Sequence, residues 1–239
     1  MTPENNNLNN NKNMKNIQEH FDNEAQIYDQ LILSLIPNYE MIVDTLISSI
    51  PFDELKPIKI LDLGCGTGNI SKKIKNRFPN AKITCVDLAE NMIKIARDKL
   101  SNYSDILFVL DDFQNMSGNG DYDVIISALA LHHLETDNDK KKIYNKIFTA
   151  LVDGGVFYNA DVVLGSTDYL QDMYIKKWKK FLLNNYSEKE IETKWMPIHL
   201  KEDKPAKTID HIKWLEKSGF KQIDVVWKCY NYVVYGGVK

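Results

Sequence analysis

Three glycines fall in five positions, Gly64, Gly66 and Gly68, directly behind the apolar run of ILDLGCGTGN. Glycine adopts positive φ and lets another molecule approach the backbone, so such a cluster after a strand marks a ligand. Asp62 stands at the end of that strand, Asp87 at the end of the next, and Asp111 with Asp112 at the end of the third. Carboxylates gathered at the carboxyl edge of a sheet repel a pyrophosphate and suit a cation. A P-loop needs G-x-x-x-x-G-K-[ST], which is absent, and the dinucleotide turn G-x-G-x-x-G is one residue looser than the G-x-G-x-G found here. Asp87 lies about twenty residues beyond Gly64, the spacing of an acid that accepts from two ribose hydroxyls. S-adenosylmethionine (SAM) meets these conditions, because its sulfonium and ammonium outweigh its one carboxylate.

A second set of residues could move protons. His132 and His133 follow the fourth strand, and an imidazole near its ordinary pKa accepts a proton from a hydroxyl, amine or thiol. The plainer reading packs one ring and spends the other on a backbone hydrogen bond. Asp161, at the end of the fifth strand, could orient such a histidine, bind an acceptor, or be a solvated loop acid. Asp87 followed by Glu90 also reads as a capping box for the next helix. Cys65 sits where the turn wants a small residue, not a catalytic thiol.

The elements that must hold these residues alternate. Strand IKILDL, helix NISKKIKNRF, strand KITCVD, helix AENMIKIARDKL, strand ILFVL, strand DVIISAL, helix DKKKIYNKIFTALV and strand GVFYNADVV follow one another. Such alternation predicts a doubly wound α/β domain, a parallel sheet covered on both faces by helices. Strands FKQIDVVW and YNYVVYGG are separated by too few residues for a parallel crossover, so they form an antiparallel hairpin. Ahead of the sheet, FDNEAQIYDQLILSLIPNYEMIVDTLISSI shows helical spacing interrupted by Pro37 and predicts two helices within residues 17–56. Residues 1–16 are asparagine-rich and read as a disordered tail, leaving 17–239 as a single domain.

After the fifth strand, residues 165–207 form an insertion. Leu170, Met173, Tyr174, Trp178, Phe181 and Leu182 make one apolar face of its first helix, and Lys176, Lys177, Lys179 and Lys180 its wet face. The helix falls on the ligand edge of the sheet, so the insertion is expected to lid an acceptor pocket. Trp178, Trp195, Met196 and His199 would select the acceptor there.

The chain has 239 residues, 44% hydrophobic and 26% charged, with a formal net charge of −3. That length suits one α/β domain with a modest elaboration, and the charge gives no general attraction to nucleic acid. Cys65, Cys85 and Cys229 lack the paired spacing of a zinc site or a disulfide framework. No metal is expected, and a reducing cytoplasm fits. No apolar run approaches the ~20 residues of a membrane span.

LDLGCGTG, VDLAENMI, LDDFQNM and DVIISALALHHL, taken in order, resemble successive motifs of class I SAM-dependent methyltransferases over Ile58 to Val163. The resemblance implies a Rossmann-like seven-stranded sheet of order 3-2-1-4-5-7-6 with the last strand antiparallel. It implies that Asp62, Gly64, Cys65, Gly66 and Gly68 line the methionine end of SAM and Asp87 the ribose. Asp112 would take the adenine amino group, with Leu88, Met92 and Phe113 near the ring; Ser127 completes the cofactor set, and Asp111 is either a cofactor contact or a solvated loop acid. The flanks look like those of carboxy-SAM synthase and its small-molecule methyltransferase neighbours, which makes Tyr28 and Tyr39 candidates to touch cofactor or substrate. That synthase carries an arginine for the extra carboxylate of its product, and the alignment puts Trp195 there. An indole donates one neutral hydrogen bond and cannot replace bidentate recognition. The expected function is therefore methyl transfer from SAM to a small-molecule acceptor, with S-adenosylhomocysteine as product. Two alternatives stand beside it: carboxy-SAM synthase-like chemistry of tRNA wobble-uridine modification, and a non-catalytic SAM-binding partner. Neither a membrane nor nucleic acid is an expected partner, and self-association as a homodimer stays open.

Overall fold

A computed structural model describes residues 3–239, with side chains from residue 14 onward. Its centre is a seven-stranded sheet of order β3-β2-β1-β4-β5-β7-β6. The strands are β1 (Lys59–Leu63), β2 (Lys82–Asp87), β3 (Ile106–Leu110), β4 (Tyr122–Ala128), β5 (Leu151–Val162), β6 (Lys221–Cys229) and β7 (Tyr232–Val238). β1 to β5 pair in parallel, whereas β7 runs antiparallel to both β5 and β6. Tyr230 and Asn231 alone join β6 to β7, and Tyr230 takes φ 52° to close the turn. The sheet expected from the sequence is the sheet observed.

The helices are α1 (Pro3–Glu24), α2 (Tyr28–Leu35), α3 (Tyr39–Ser48), α4 (Asn69–Arg77), α5 (Glu90–Lys99), α6 (Asp137–Ala150), α7 (Asp168–Leu182), α8 (Glu188–Glu190), α9 (Met196–Glu202) and α10 (Thr208–Ser218). One face of the sheet buries Ile60, Ile83 and Ile126 with Leu46 of α3 and Ile74 of α4. The other buries Leu61, Ile125 and Phe157 with Tyr144 of α6 and Leu215 of α10. This two-sided burial is why the central strands read as continuous apolar runs. No single described helix is long and apolar enough to cross a membrane.

The N-terminal segment departs from the sequence reading. Three helices precede the sheet where two are expected, because the chain turns at 25–27 and again around Pro37 and Asn38, whose φ is 60°. The stretch 1–16, read as a tail, is continued by α1 from Pro3, while residues 1 and 2 lie outside the described residues. α1 is fastened to the domain by Asp22, whose carboxylate accepts from the Asn91 amide N at 2.8 Å. The insertion is closed at its base, where Leu164 N donates to Ala206 O at 3.0 Å.

Candidate active site

The glycine turn is built by its own strand and the neighbouring one. Gly64 N and Cys65 N both donate to Val86 O, at 2.9 and 3.0 Å, which folds the chain back over the end of β2. Gly64 has φ +73°, and a Cβ there would lie 2.4 Å from the Cβ of Ala130. Gly66, at φ +52°, has only Tyr28 within 4.0 Å of the same construction, so its outer face is open. Asp87 accepts from Gly66 N at 2.7 Å through Oδ2 and from Ala89 N at 2.9 Å through Oδ1. The expected capping box is not formed: Ala89 is the N-cap of α5 and has no side-chain cap bond. Both oxygens of Asp87 help to order the turn, and burial raises its pKa against the backbone N–H groups of Ala89, Gly66 and Leu88.

Asp62 is buried at the end of β1 and accepts from Ser71 Oγ at 2.6 Å, while its Oδ1 has no partner. Burial pushes its pKa up to about 7, with the Ser71 hydroxyl opposing and the Asp87 charge adding. An orphaned carboxylate oxygen in such a place is costly unless a donor or a cation satisfies it.

A cavity lies over this turn. Tyr28, Gly64, Gly66, Asp87, Leu88, Met92 and Phe113 of the expected cofactor set line it, roofed by Met14, Ile17 and Phe21 of α1. Other members of the set lie elsewhere. Cys65 belongs to the core, Gly68 is the N-cap of α4, and Ser127 is buried with its Oγ donating to Leu63 O at 2.8 Å. Asp112 caps the turn Phe113–Asn115 by accepting from Gln114 N at 2.8 Å. Asp111 is exposed and accepts from Asn115 Nδ2 at 2.8 Å. α2 is latched to the glycine turn by Asp29, which takes Lys99 Nζ at 2.6 Å, Asn69 Nδ2 at 2.8 Å and Thr67 Oγ1 at 2.5 Å. No motif in the sequence announces that latch.

A second, larger cavity adjoins the first. Phe21, Tyr28, Leu129 and His133 line both. Leu129 holds φ 53°, a strained conformation for a branched residue and one that accumulates at functional sites. Most of the second cavity's wall is apolar: Leu31, Ile32, Leu35 and Ile36 from the N-terminal helices face Val162, Trp178 and Ile198. Trp178 donates Nε1 to Leu35 O at 2.8 Å, tying the insertion to α2. Trp195 ends a π-helical turn, Ile191–Trp195, and its buried Nε1 has no partner. Such turns recur at functional sites.

The polar end of this cavity gathers four of the chain's five histidines, His20, His132, His133 and His199. His132 Nδ1 lies 2.5 Å from Asp161 Oδ1, and its Nε2 lies 3.4 Å from Asp203 Oδ1. Burial works to lower the His132 pKa, but Asp161 and Asp203 outweigh it and raise the imidazole to about 10. His133, stacked on it with ring centroids 4.1 Å apart, is lowered to about 4 by burial and by its charged neighbour. Asp203 also takes His199 Nδ1 at 2.7 Å, and His20 bridges Glu202 at 2.8 Å and Glu24 at 2.9 Å. Asp161 is 1% exposed and lines neither cavity, so the contact expected of it with an acceptor, or with solvent, gives way to a bond with His132. Tyr39 likewise packs on the core and lines neither cavity. Asp203, Glu202 and His20 were not singled out by the sequence, where they read as ordinary charged helix and loop residues.

Residues 60–155 match the protein family described as "Methyltransferase domain". The chain is 33% identical over 142 residues to a malonyl-[acyl-carrier protein] O-methyltransferase of Acetivibrio thermocellus, covering 59% of this chain and 47% of that protein. Two further curated relatives with that name are covered over 36% and 37% of their length, so the chain spans half or less of these proteins. Among solved structures it is similar to Haemonchus contortus phosphoethanolamine N-methyltransferase 2 in complex with SAM, at TM-score 0.63 and 17% identity, over 85% of this chain and 43% of that one. It is also similar to a chain in the complex of the Haloferax volcanii Trm112 methyltransferase activator with a methyltransferase, at TM-score 0.65 and 15% identity, over 91% and 96%. At these identities the structures speak for the fold alone. The match to that domain family is confined to residues 60–155, and the sheet around it has the strand order of a Rossmann-like methyltransferase fold.

Proposed function

We propose that the chain transfers a methyl group from SAM to a small amphipathic acceptor. The observation that carries this reading is the pair of adjoining cavities, one on the glycine turn and one on the histidine cluster, sharing the wall of Phe21, Tyr28, Leu129 and His133. SAM supplies a methyl group on a sulfonium, which departs as a neutral thioether.

The residues present fit that donor. Asp62 lines neither cavity but stands two residues before Gly64 on the glycine turn, and its Oδ1 is a buried acceptor without a partner, suited to an ammonium. Gly66 leaves open the space a side chain would fill, and Asp87 lines the same cavity as a carboxylate for ribose hydroxyls. Leu88, Met92 and Phe113 supply the apolar bed for the adenine.

The acceptor would lay an apolar body along Leu35, Ile36, Val162 and Ile198, with its reacting heteroatom at the histidine cluster and an oxygen on Trp195 Nε1. Holding acceptor and methyl in line contributes roughly 7–11 kcal/mol, against about 10²–10⁴-fold from a positioned base. Positioning by the cavity walls is thus the main contribution. The proton of the acceptor passes to His133, which burial and the charged His132 beside it keep neutral. Arginine is absent from the residues lining the cavity, and Trp195 occupies the aligned position, which favours methyl transfer over carboxy-SAM synthesis. The acceptor named for the curated relatives is not carried over, because so little of their length is shared.

Calorimetric titration of the purified chain with SAM and S-adenosylhomocysteine, followed by mass spectrometry of an acceptor panel, tests the reading. Binding of both and a mass gain of one methyl on an amphipathic acceptor are expected. Preference for NADH or ATP would overturn the donor assignment, and a copurified cofactor carrying an extra carboxylate would overturn the reaction.

A further inference from the structure

We propose that His132, His133 and Asp203 bind a first-row divalent transition-metal ion at the polar end of the larger cavity. One ligand atom from each lies within 4.8 Å of the others. His132 Nε2 and His133 Nδ1 stand 3.4 and 3.7 Å from the same oxygen, Asp203 Oδ1. Donors held about 2.1 Å from one ion lie about 3.0–3.4 Å apart, so a small inward shift closes the set.

The hydrogen bonding leaves room for an ion there. His132 Nδ1 is committed to Asp161 at 2.5 Å, which makes Nε2 the nitrogen that faces Asp203. A bound cation would take the place of the proton on that nitrogen. The 3.4 Å separation is long for a proton shared between charged partners, which draws such atoms to about 2.7–2.9 Å. Convergence of three donors on one point, with none of them closely paired to another, is the arrangement of a coordination site.

The surroundings meet the further requirements of such a site. Metal-ligating histidines donate their second nitrogen to a carboxylate, and ligating carboxylates are themselves hydrogen-bonded. Asp161 serves His132 in this way, and His199 Nδ1 serves Asp203 Oδ2 at 2.7 Å. His133 offers Nδ1 as the Nε2–H tautomer, giving up its long 3.3 Å contact with Glu202 O. Two imidazoles and one carboxylate with positions left open suit Fe²⁺, Mn²⁺ or a catalytic Zn²⁺. All three ligand residues line the larger cavity, so the open positions face the space assigned to the acceptor.

The ion's role, though not its binding, rests on the methyl-transfer reading. An acceptor oxygen, sulfur or nitrogen in an open position would be held beside the shared wall and would lose its proton to solvent more readily, as metal-bound water does. His133 is then a ligand and not a base, which replaces the proton path given above.

The full chain, stripped with a chelator and dialysed, is titrated with ZnCl₂ by calorimetry and with CoCl₂ by visible absorption. The metal content of protein as purified is measured alongside by mass spectrometry. One equivalent per chain is expected, with Co²⁺ bands. Affinity should fall more than about tenfold in Asp203→Asn and His133→Gln and about 10–100-fold in His199→Gln, with circular dichroism unchanged. Where one ligand variant does not fold, the other and the wild-type stoichiometry decide. Absence of stoichiometric uptake by the wild type, or uptake unchanged in the ligand variants, overturns the proposal. S-adenosylhomocysteine is titrated into the same metal-free chain: nucleoside binding without metal uptake sinks the ion alone, and metal uptake without nucleoside binding sinks the methyl-transfer reading alone.

Discussion

Asp161 holds His132 from beneath: its Oδ1 lies 2.5 Å from His132 Nδ1, while its Oδ2 takes the Asn159 amide at 3.1 Å. A carboxylate tied at both oxygens fixes the proton on Nδ1 and turns Nε2 toward the cavity. Asp161→Asn can present a donor to that nitrogen and select the other tautomer. The rate of methyl transfer is expected to fall about 10²-fold or more. Affinity for SAM should stay within about twofold, because the change lies outside the donor cavity. Rates measured beside calorimetric affinities check the split.

Asp87 accepts two backbone N–H groups at 2.7 and 2.9 Å as well as facing the donor cavity. Asp87→Ala should weaken SAM binding by about 10–100-fold, the loss of hydrogen bonds to a charged acceptor. Circular dichroism should report an intact fold. Unaltered calorimetric affinity would remove Asp87 from the donor site.

Asp62 makes donor binding sensitive to pH. Its pKa of about 7 lies above the ordinary carboxylate range, so at pH 6 it is largely neutral and must lose a proton to meet a cation. SAM affinity is expected to rise by up to about tenfold per pH unit below 7 and to level off above it. Stability follows the opposite course. A raised acid contributes fully below its unfolded value near ~4, and that contribution is lost as pH climbs through 7. Asp62→Asn removes the penalty. Its melting temperature should exceed that of the wild type by a margin that widens from pH 5 to pH 8, while SAM binding is lost.

Gly64 and Gly66 separate folding from binding. Alanine at Gly64 would drive its Cβ into Ala130 at 2.4 Å, and such overpacking costs about 1–3 kcal/mol, read as a lower midpoint in urea. Alanine at Gly66 meets nothing closer than 4.0 Å, so only the positive φ opposes it, at about 1–2 kcal/mol. The Gly66 variant should fold and fail to bind SAM.

Trp195→Phe keeps an aromatic ring but deletes the unpartnered Nε1–H together with the five-membered half of the indole. For an acceptor that places an oxygen there, KM should rise about tenfold, the worth of one hydrogen bond, with SAM affinity unmoved.

The sheet was legible because burial on both faces writes itself into the chain. β2 and β3 run over the residues expected of them, Lys82–Asp87 and Ile106–Leu110, although β3, at the edge of the sheet, leaves Leu107 and Leu110 exposed. The glycine turn was legible for a similar reason: Gly64 and Gly66 answer a steric demand that only their type can meet. Ser127 was misplaced because nothing in its neighbours tells which backbone atom a strand hydroxyl will find, and it found Leu63 O. Asp29, His20 and Asp203 escaped notice because their partners come from distant segments. Lys99, Glu202 and His132 approach them only when the N-terminal helices and the insertion close on the sheet.

The insertion leaves and rejoins the sheet at a narrow neck, where Leu164 N donates to Ala206 O, and packs Trp178, Leu182 and Trp195 into the core. Evolution can lengthen, shorten or exchange such a segment without disturbing the register of β5 or β7, provided those core positions are refilled. Asp203 and Trp195 travel with that segment, whereas the glycine turn stays behind. Descendants of such a scaffold would therefore keep one methyl donor while acquiring new acceptors, and each exchange would carry its own ligand and its own indole into the lineage.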